Sequence, residues 1–177
     1  MKWFIVLFFV IQSCAGIKHF TNQQGFERPN NYKFFKYTKY TTLVVDGIDT
    51  NAVYIQNWIN PNTKESYYRY YRFLPNGRVL YNYDSLHLPK INNSEYGNIG
   101  YYYCKNNKLK LEIFKVTYGI RGSIVKEFGY VSKDTIKLYL QNPATFNNNY
   151  KLTAKGALTD SWVKLIPTNL KPVIPFW

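Results

Sequence analysis

The chain has 177 residues, a formal net charge of +13 and 19% aromatic residues, 18 of them tyrosine. That length suits one domain of the usual size, about 100–200 residues. The cations are divided almost evenly between the two halves and are interleaved with acids. This reads as a solvated basic surface, drawn at most to anionic lipid, and not as the basic stripe of a nucleic-acid binder.

Met1-Lys2 is followed by an apolar run from Trp3 to Ile11. The run is far shorter than the roughly 20 residues of a membrane-spanning helix, and it has the form of a secretory signal. Ile11-Gln12-Ser13-Cys14 closes it. This tetrad resembles the bacterial lipobox, in which the signal is cut before a cysteine that becomes the acylated N-terminus. The alternative is an ordinary signal cut after Ser13 or Ala15. The resemblance makes Cys14 the lipidation site, carrying palmitate-type acyl chains, and residues 1–13 the signal peptide.

Residues 14–38 are polar, with Pro29-Asn30-Asn31, and are expected to be a flexible tether. The folded domain is expected over 39–170. Its first strand is predicted at Tyr40–Val45 and its second at Ala52–Ile59. Tyr67–Leu74 and Arg78–Tyr83 form a hairpin across Pro75-Asn76-Gly77, where glycine accepts the left-handed conformation. That loop pairs Leu74 with Arg78, Phe73 with Val79 and Tyr71 with Tyr81. Alternation then puts Tyr71, Phe73, Val79, Tyr81 and Tyr83 on one face, with Arg72, Arg78 and Asn82 on the other.

Ile99–Cys104 and Lys108–Phe114 form a second hairpin across Asn106-Asn107, and asparagine tolerates the positive φ such a turn needs. Tyr102, Cys104, Leu109, Leu111 and Ile113 share its inner face. Arg121–Val131 and Thr135–Leu140 form a third, turning at Ser132-Lys133-Asp134. Tyr150–Ala154 and Ser161–Ile166 are the last predicted strands. The tail 171–177 holds Pro172 and Pro175 and is not a regular strand. Its Phe176 and Trp177 need a surface to cover.

Strands joined in chain order by short turns fit one antiparallel up-and-down barrel of about eight to ten strands. RFLPNGRVLYN, GYYYCKNNKLKLEIF and GYVSKDTIKLYL resemble the successive hairpins of lipocalin-like lipoproteins of Bacteroidetes-type bacteria. The likeness covers about residues 67–140 and the signal. Lys133 stands where that pattern has glycine. The resemblance implies an all-β lipocalin-like fold and a location in the cell envelope. Residues 15–19 contain no acid, and by resemblance to the sorting rules of Gram-negative lipoproteins this implies neither an inner-membrane retention signal nor an acidic surface-export tag. The expected place is the periplasmic face of the outer membrane.

Chemistry-bearing residues are sparse. His19 and His87 have no partner at metal-ligand spacing, the ten acids form no motif, and no cofactor is implied. Cys104 is expected as a buried free thiol acting as a small apolar residue. The remaining candidates are the inward aromatic face, Tyr71, Phe73, Tyr81, Tyr83 and Tyr102, with Arg69 near the barrel mouth. They could hold a small apolar or aromatic ligand, with Arg69 meeting an anionic group or reaching solvent, or they could fill the barrel. The expectation is therefore a lipid-anchored, non-enzymatic binding protein. The competing expectation is a structural or assembly component with a filled barrel and an envelope protein partner. An enzyme comes third, with no catalytic residue to name.

Overall fold

The structure, a computed structural model, describes residues 16–40, 47–60, 62–84, 88–117, 121–139, 158–165 and 169–177. The predicted strands at 40–45 and 150–154, together with Cys14 and His87, lie outside the described residues, except for Tyr40 at the start of the first.

Ten strands are described. β1 (His19–Thr21) and β2 (Glu27–Pro29) form a small ribbon. Eight more close a barrel: β3 (Val53–Ile59), β4 (Ser66–Leu74), β5 (Arg78–Asp84), β6 (Asn98–Lys105), β7 (Lys108–Thr117), β8 (Arg121–Ser132), β9 (Thr135–Tyr139) and β10 (Leu158–Leu165). Each pairs antiparallel with its neighbour in the chain, and β10 returns to β3. This is the expected all-β, up-and-down, lipocalin-like architecture. Closure gives each of these strands a partner on both sides over part of its length.

The first two tight hairpins form in the predicted register, pairing Phe73 with Val79, Tyr71 with Tyr81 and Cys104 with Leu109. The third turns on Lys133-Asp134 alone, so that Ser132 joins the strand and pairs with Thr135, and Val131 with Ile136. Asn106 and Asn107 both take positive φ, as a two-residue primed turn requires. At the first hairpin Asn76 joins Gly77 in the left-handed region, with φ of 64° and 71°. Asparagine adopts that region more readily than other non-glycine residues. Lys133 does the same at φ 47°, where a glycine would be unstrained.

Among the described residues the centre of the barrel is filled by side chains. Tyr54, Tyr71, Phe73, Val79, Tyr102, Cys104, Leu109, Leu111, Ile113, Val131, Ile136, Leu138 and Trp162 form one buried cluster. Cys104 is a buried free thiol within it. Tyr102 donates its hydroxyl to the Leu74 carbonyl at 3.0 Å, and burial pushes its pKa up.

The tether expectation is corrected. Residues 16–40 hold the β1–β2 ribbon and two 3-10 turns, Tyr32–Phe34 and Tyr37–Tyr40, laid on the outer wall. Specific buried polar contacts, invisible in composition, offset the ordering entropy. Arg28 is fully buried and donates to the carbonyls of Glu27 and Glu95 at 3.0 and 2.7 Å. Glu112 is also fully buried, and its Oε2 accepts from the Lys36 and Tyr37 amides at 2.6 and 3.0 Å. Phe35 packs with Leu74, Leu80, Ile99, Tyr101 and Phe114.

The tail covers the same outer cluster through Val173 and Trp177. Arg72, on the outer face of β4, ties it down. Its Nη1 donates to the Ile91 carbonyl at 2.5 Å and to Asn92 Oδ1 at 3.0 Å, and its Nη2 to the Lys171 carbonyl. Ile91 belongs to α1 (Leu88–Ile91), a single turn packed on Val53 and Tyr70.

Candidate functional site

The inward alternation of the barrel does not stay apolar. Extended past Ile113 it brings Lys115 inward, and extended between Val125 and Gly129 it brings Glu127 inward. Arg69 on β4 and Gln56 on β3 are paired residues, so their side chains share a face. Charged side chains inside a barrel are costly unless paired. Here each has partners.

Lys115 Nζ lies 3.4 Å from Glu127 Oε1, and Glu127 Oε2 accepts from the Tyr71 hydroxyl. Lys115 also sits over the Tyr81 ring, 4.5 Å from its centroid. Arg69 donates to Gln56 Oε1 and lies 5.4 Å over the Trp162 ring. Tyr71 contacts both Trp162 and Tyr81, with ring centroids 4.5 and 4.9 Å apart. Two cations, one carboxylate and three aromatic rings thus form one polar layer beside the packed core.

This layer opens sideways. β5 pairs with β6 only over Arg78–Tyr81, and β6 meets β7 only from Gly100 opposite Ile113. Residues 82–84 of β5 and 114–117 of β7 therefore have no partner on β6. The window is flanked by the loop after β1 and by the chain before β6. It holds a pocket of about 490 Å³ with Phe26, Tyr81, Asn82, Tyr96, Asn98 and Lys115 in its lining. Phe26 and Tyr96 meet edge to face at 4.7 Å. The pocket combines aromatic surface, two carboxamides, the Glu27 carboxylate and an ammonium group. It fits a small ligand with an apolar body and a few polar groups.

The structure brings together three of the expected site residues, Arg69, Tyr71 and Tyr81. Phe73 and Tyr102 instead meet edge to face at 4.8 Å within the packed part. Tyr83 pairs with Arg69 in the register, and its side chain lies outside the described residues. Sequence reasoning missed Lys115, Glu127, Trp162, Phe26 and Tyr96. The first two were within reach, because carrying the alternation one step further puts them inside. Phe26 and Tyr96 gave no such signal, since they come from the presumed tether and a long connection.

Among the described residues no cluster of His, Cys, Asp or Glu could hold a metal ion. His19 stands 3.5 Å from Glu27 and against Phe114. No described helix is long and apolar enough to cross a membrane. No protein-family model matches the chain, and the searches of curated proteins and of solved structures give no match.

Proposed function

We propose that the protein is a lipid-anchored, non-enzymatic binding protein of the bacterial envelope, acylated at Cys14 and held at the periplasmic face of the outer membrane. The observation that carries the binding half is the side window backed by Lys115, Glu127, Tyr71 and Tyr81. An apolar or aromatic ligand would lie against Phe26, Tyr81 and Tyr96, outside the filled centre of the barrel. Lys115 would meet an anionic group on it. The apolar run ending at Ile11-Gln12-Ser13-Cys14 supports the anchor.

The anchor is tested by replacing Cys14 with Ser and fractionating cells. Wild-type protein is expected with the membranes and the variant is not. Equal retention of both overturns the anchor, and digestion by protease added to whole cells overturns the periplasmic face. The ligand half is tested by a thermal-shift screen, because a ligand that binds the native state raises its melting point.

A second reading is a structural or assembly component docking an envelope protein. It is favoured by the filled barrel centre and by the tail, where Val173 and Trp177 are held down while Ile174 is 88% and Phe176 52% exposed. Deleting residues 171–177 separates the two readings. A loss of stability alone marks the tail as a cover, and loss of a co-purifying partner marks it as a docking segment.

A further inference from the structure

The described residues start close to the proposed anchor. One residue, Ala15, separates Cys14 from Gly16. At about 3.5 Å per extended residue, the acylated cysteine lies within roughly 7 Å of Gly16. Gly16 is fixed on the barrel. The Ile17 amide donates to the Gly122 carbonyl at 2.9 Å, and a Cβ on Gly16 would meet Arg121 Cβ at 2.9 Å. The domain therefore has no spacer with which to stand away from a bilayer that holds its N-terminus.

The surface at that point suits a bilayer. Gly16, Ile17, Lys18, Asn30, Asn31 and Phe34 line a shallow depression of about 420 Å³, with no carboxylate among them. Phe34 is half exposed, as is Phe20 two residues along from Lys18. Lys33 beside Phe34 and Arg121 against Gly16 are exposed cations. Exposed aromatic rings among lysines and arginines are the composition of a surface that lies in the headgroup region of an anionic membrane. The net charge of +13 adds a general attraction of the same sign.

We propose that this face, with Phe34 at its centre and Lys18, Lys33 and Arg121 around it, docks directly on an anionic lipid bilayer. The proposal rests on acylation at Cys14. It replaces a tethered, freely tumbling domain with one held in a fixed orientation.

The test uses the mature, membrane-extracted protein returned to lipid vesicles. A cysteine is introduced by Phe34→Cys, or by Lys105→Cys at the Asn106-Asn107 turn as a control, and is labelled with a polarity-sensitive fluorophore. Cys104 is buried and escapes the label. In vesicles of mixed phosphatidylglycerol and phosphatidylcholine, the probe at position 34 is expected to shift to the blue and the probe at 105 to stay as in water. In phosphatidylcholine alone the shift at 34 is expected to be smaller. Removing two cations by Lys18→Ser with Lys33→Ser is expected to erase that difference. A vesicle-bound, acylated protein whose probe at 34 reports water, like the one at 105, overturns the docked face. An N-terminal peptide whose mass shows no acyl group overturns the anchor instead, so the two failures are told apart.

Discussion

The Tyr71 hydroxyl donates a hydrogen bond to Glu127 Oε2, joining β4 to β8 across the barrel. The two strands stand on opposite sides of the ring. Few contacts can link strands so far apart, and this one also holds the carboxylate that faces Lys115.

Tyr71→Phe keeps the ring and removes the donor. Hydrogen bonds to charged groups contribute about 1.5–3 kcal/mol. Glu127 keeps Lys115 as a partner and some contact with solvent, so the loss is expected at the low end, about 1.5 kcal/mol. A urea unfolding midpoint measures it. A variant as stable as wild type means that the bond contributes nothing net.

Arg72 reaches both α1 and the tail, beside the direct bonds of Asn92 to Asn169 and Lys171. Burial lowers its pKa to about 10, which still leaves it charged at neutral pH. Arg72→Lys keeps the charge but loses the planar fork that serves both groups of carbonyls. The expected result is a lower melting point and faster proteolysis of residues 169–177, with the barrel itself still folded. Proteolysis at the wild-type rate would show that Val173 and Trp177 hold the tail without the arginine.

Alkaline pH tests the buried tyrosines. Burial is the largest cause raising the pKa of Tyr54, Tyr101 and Tyr102 above the ordinary value. The unfolded chain therefore releases these protons first, at about pH 10. Their contribution is fully present below that pH and is lost as pH rises toward the higher folded values. Unfolding midpoints should hold steady to about pH 9 and fall above pH 10. Tyrosinate absorbance should show a late fraction that ionises only with unfolding. A single ionisation step ahead of unfolding would contradict the packing.

The hairpins were legible because both of their signals are local. Pro75-Asn76-Gly77 and Asn106-Asn107 fix two registers, and the alternation around them fixes which side is inside. The third turn, read as Ser132-Lys133-Asp134, is one residue shorter because Ser132 pairs with Thr135. The ordering of residues 16–40 was not legible. Arg28 and Glu112 secure that segment through groups distant in sequence, and a polar composition does not reveal that its polar groups are paired. The site was half legible. Arg69, Tyr71 and Tyr81 follow from one hairpin. Their partners Lys115, Glu127 and Trp162 come from other strands and meet them only once the ring closes. The filled centre was one of two open expectations, and the bulk of Tyr54, Phe73, Tyr102 and Trp162 decides it.

The side window is the central claim, and a melting-point screen tests it most directly. Fatty acids, sterol-like compounds and aromatic carboxylates are added in excess to the wild-type protein and to Lys115→Met and Tyr96→Ala variants. At least one class is expected to raise the wild-type melting point by several degrees. Both substitutions are expected to diminish that rise, Lys115→Met most for ligands carrying a carboxylate. No shift with any class, or a shift that both variants keep in full, would contradict a ligand site at the window.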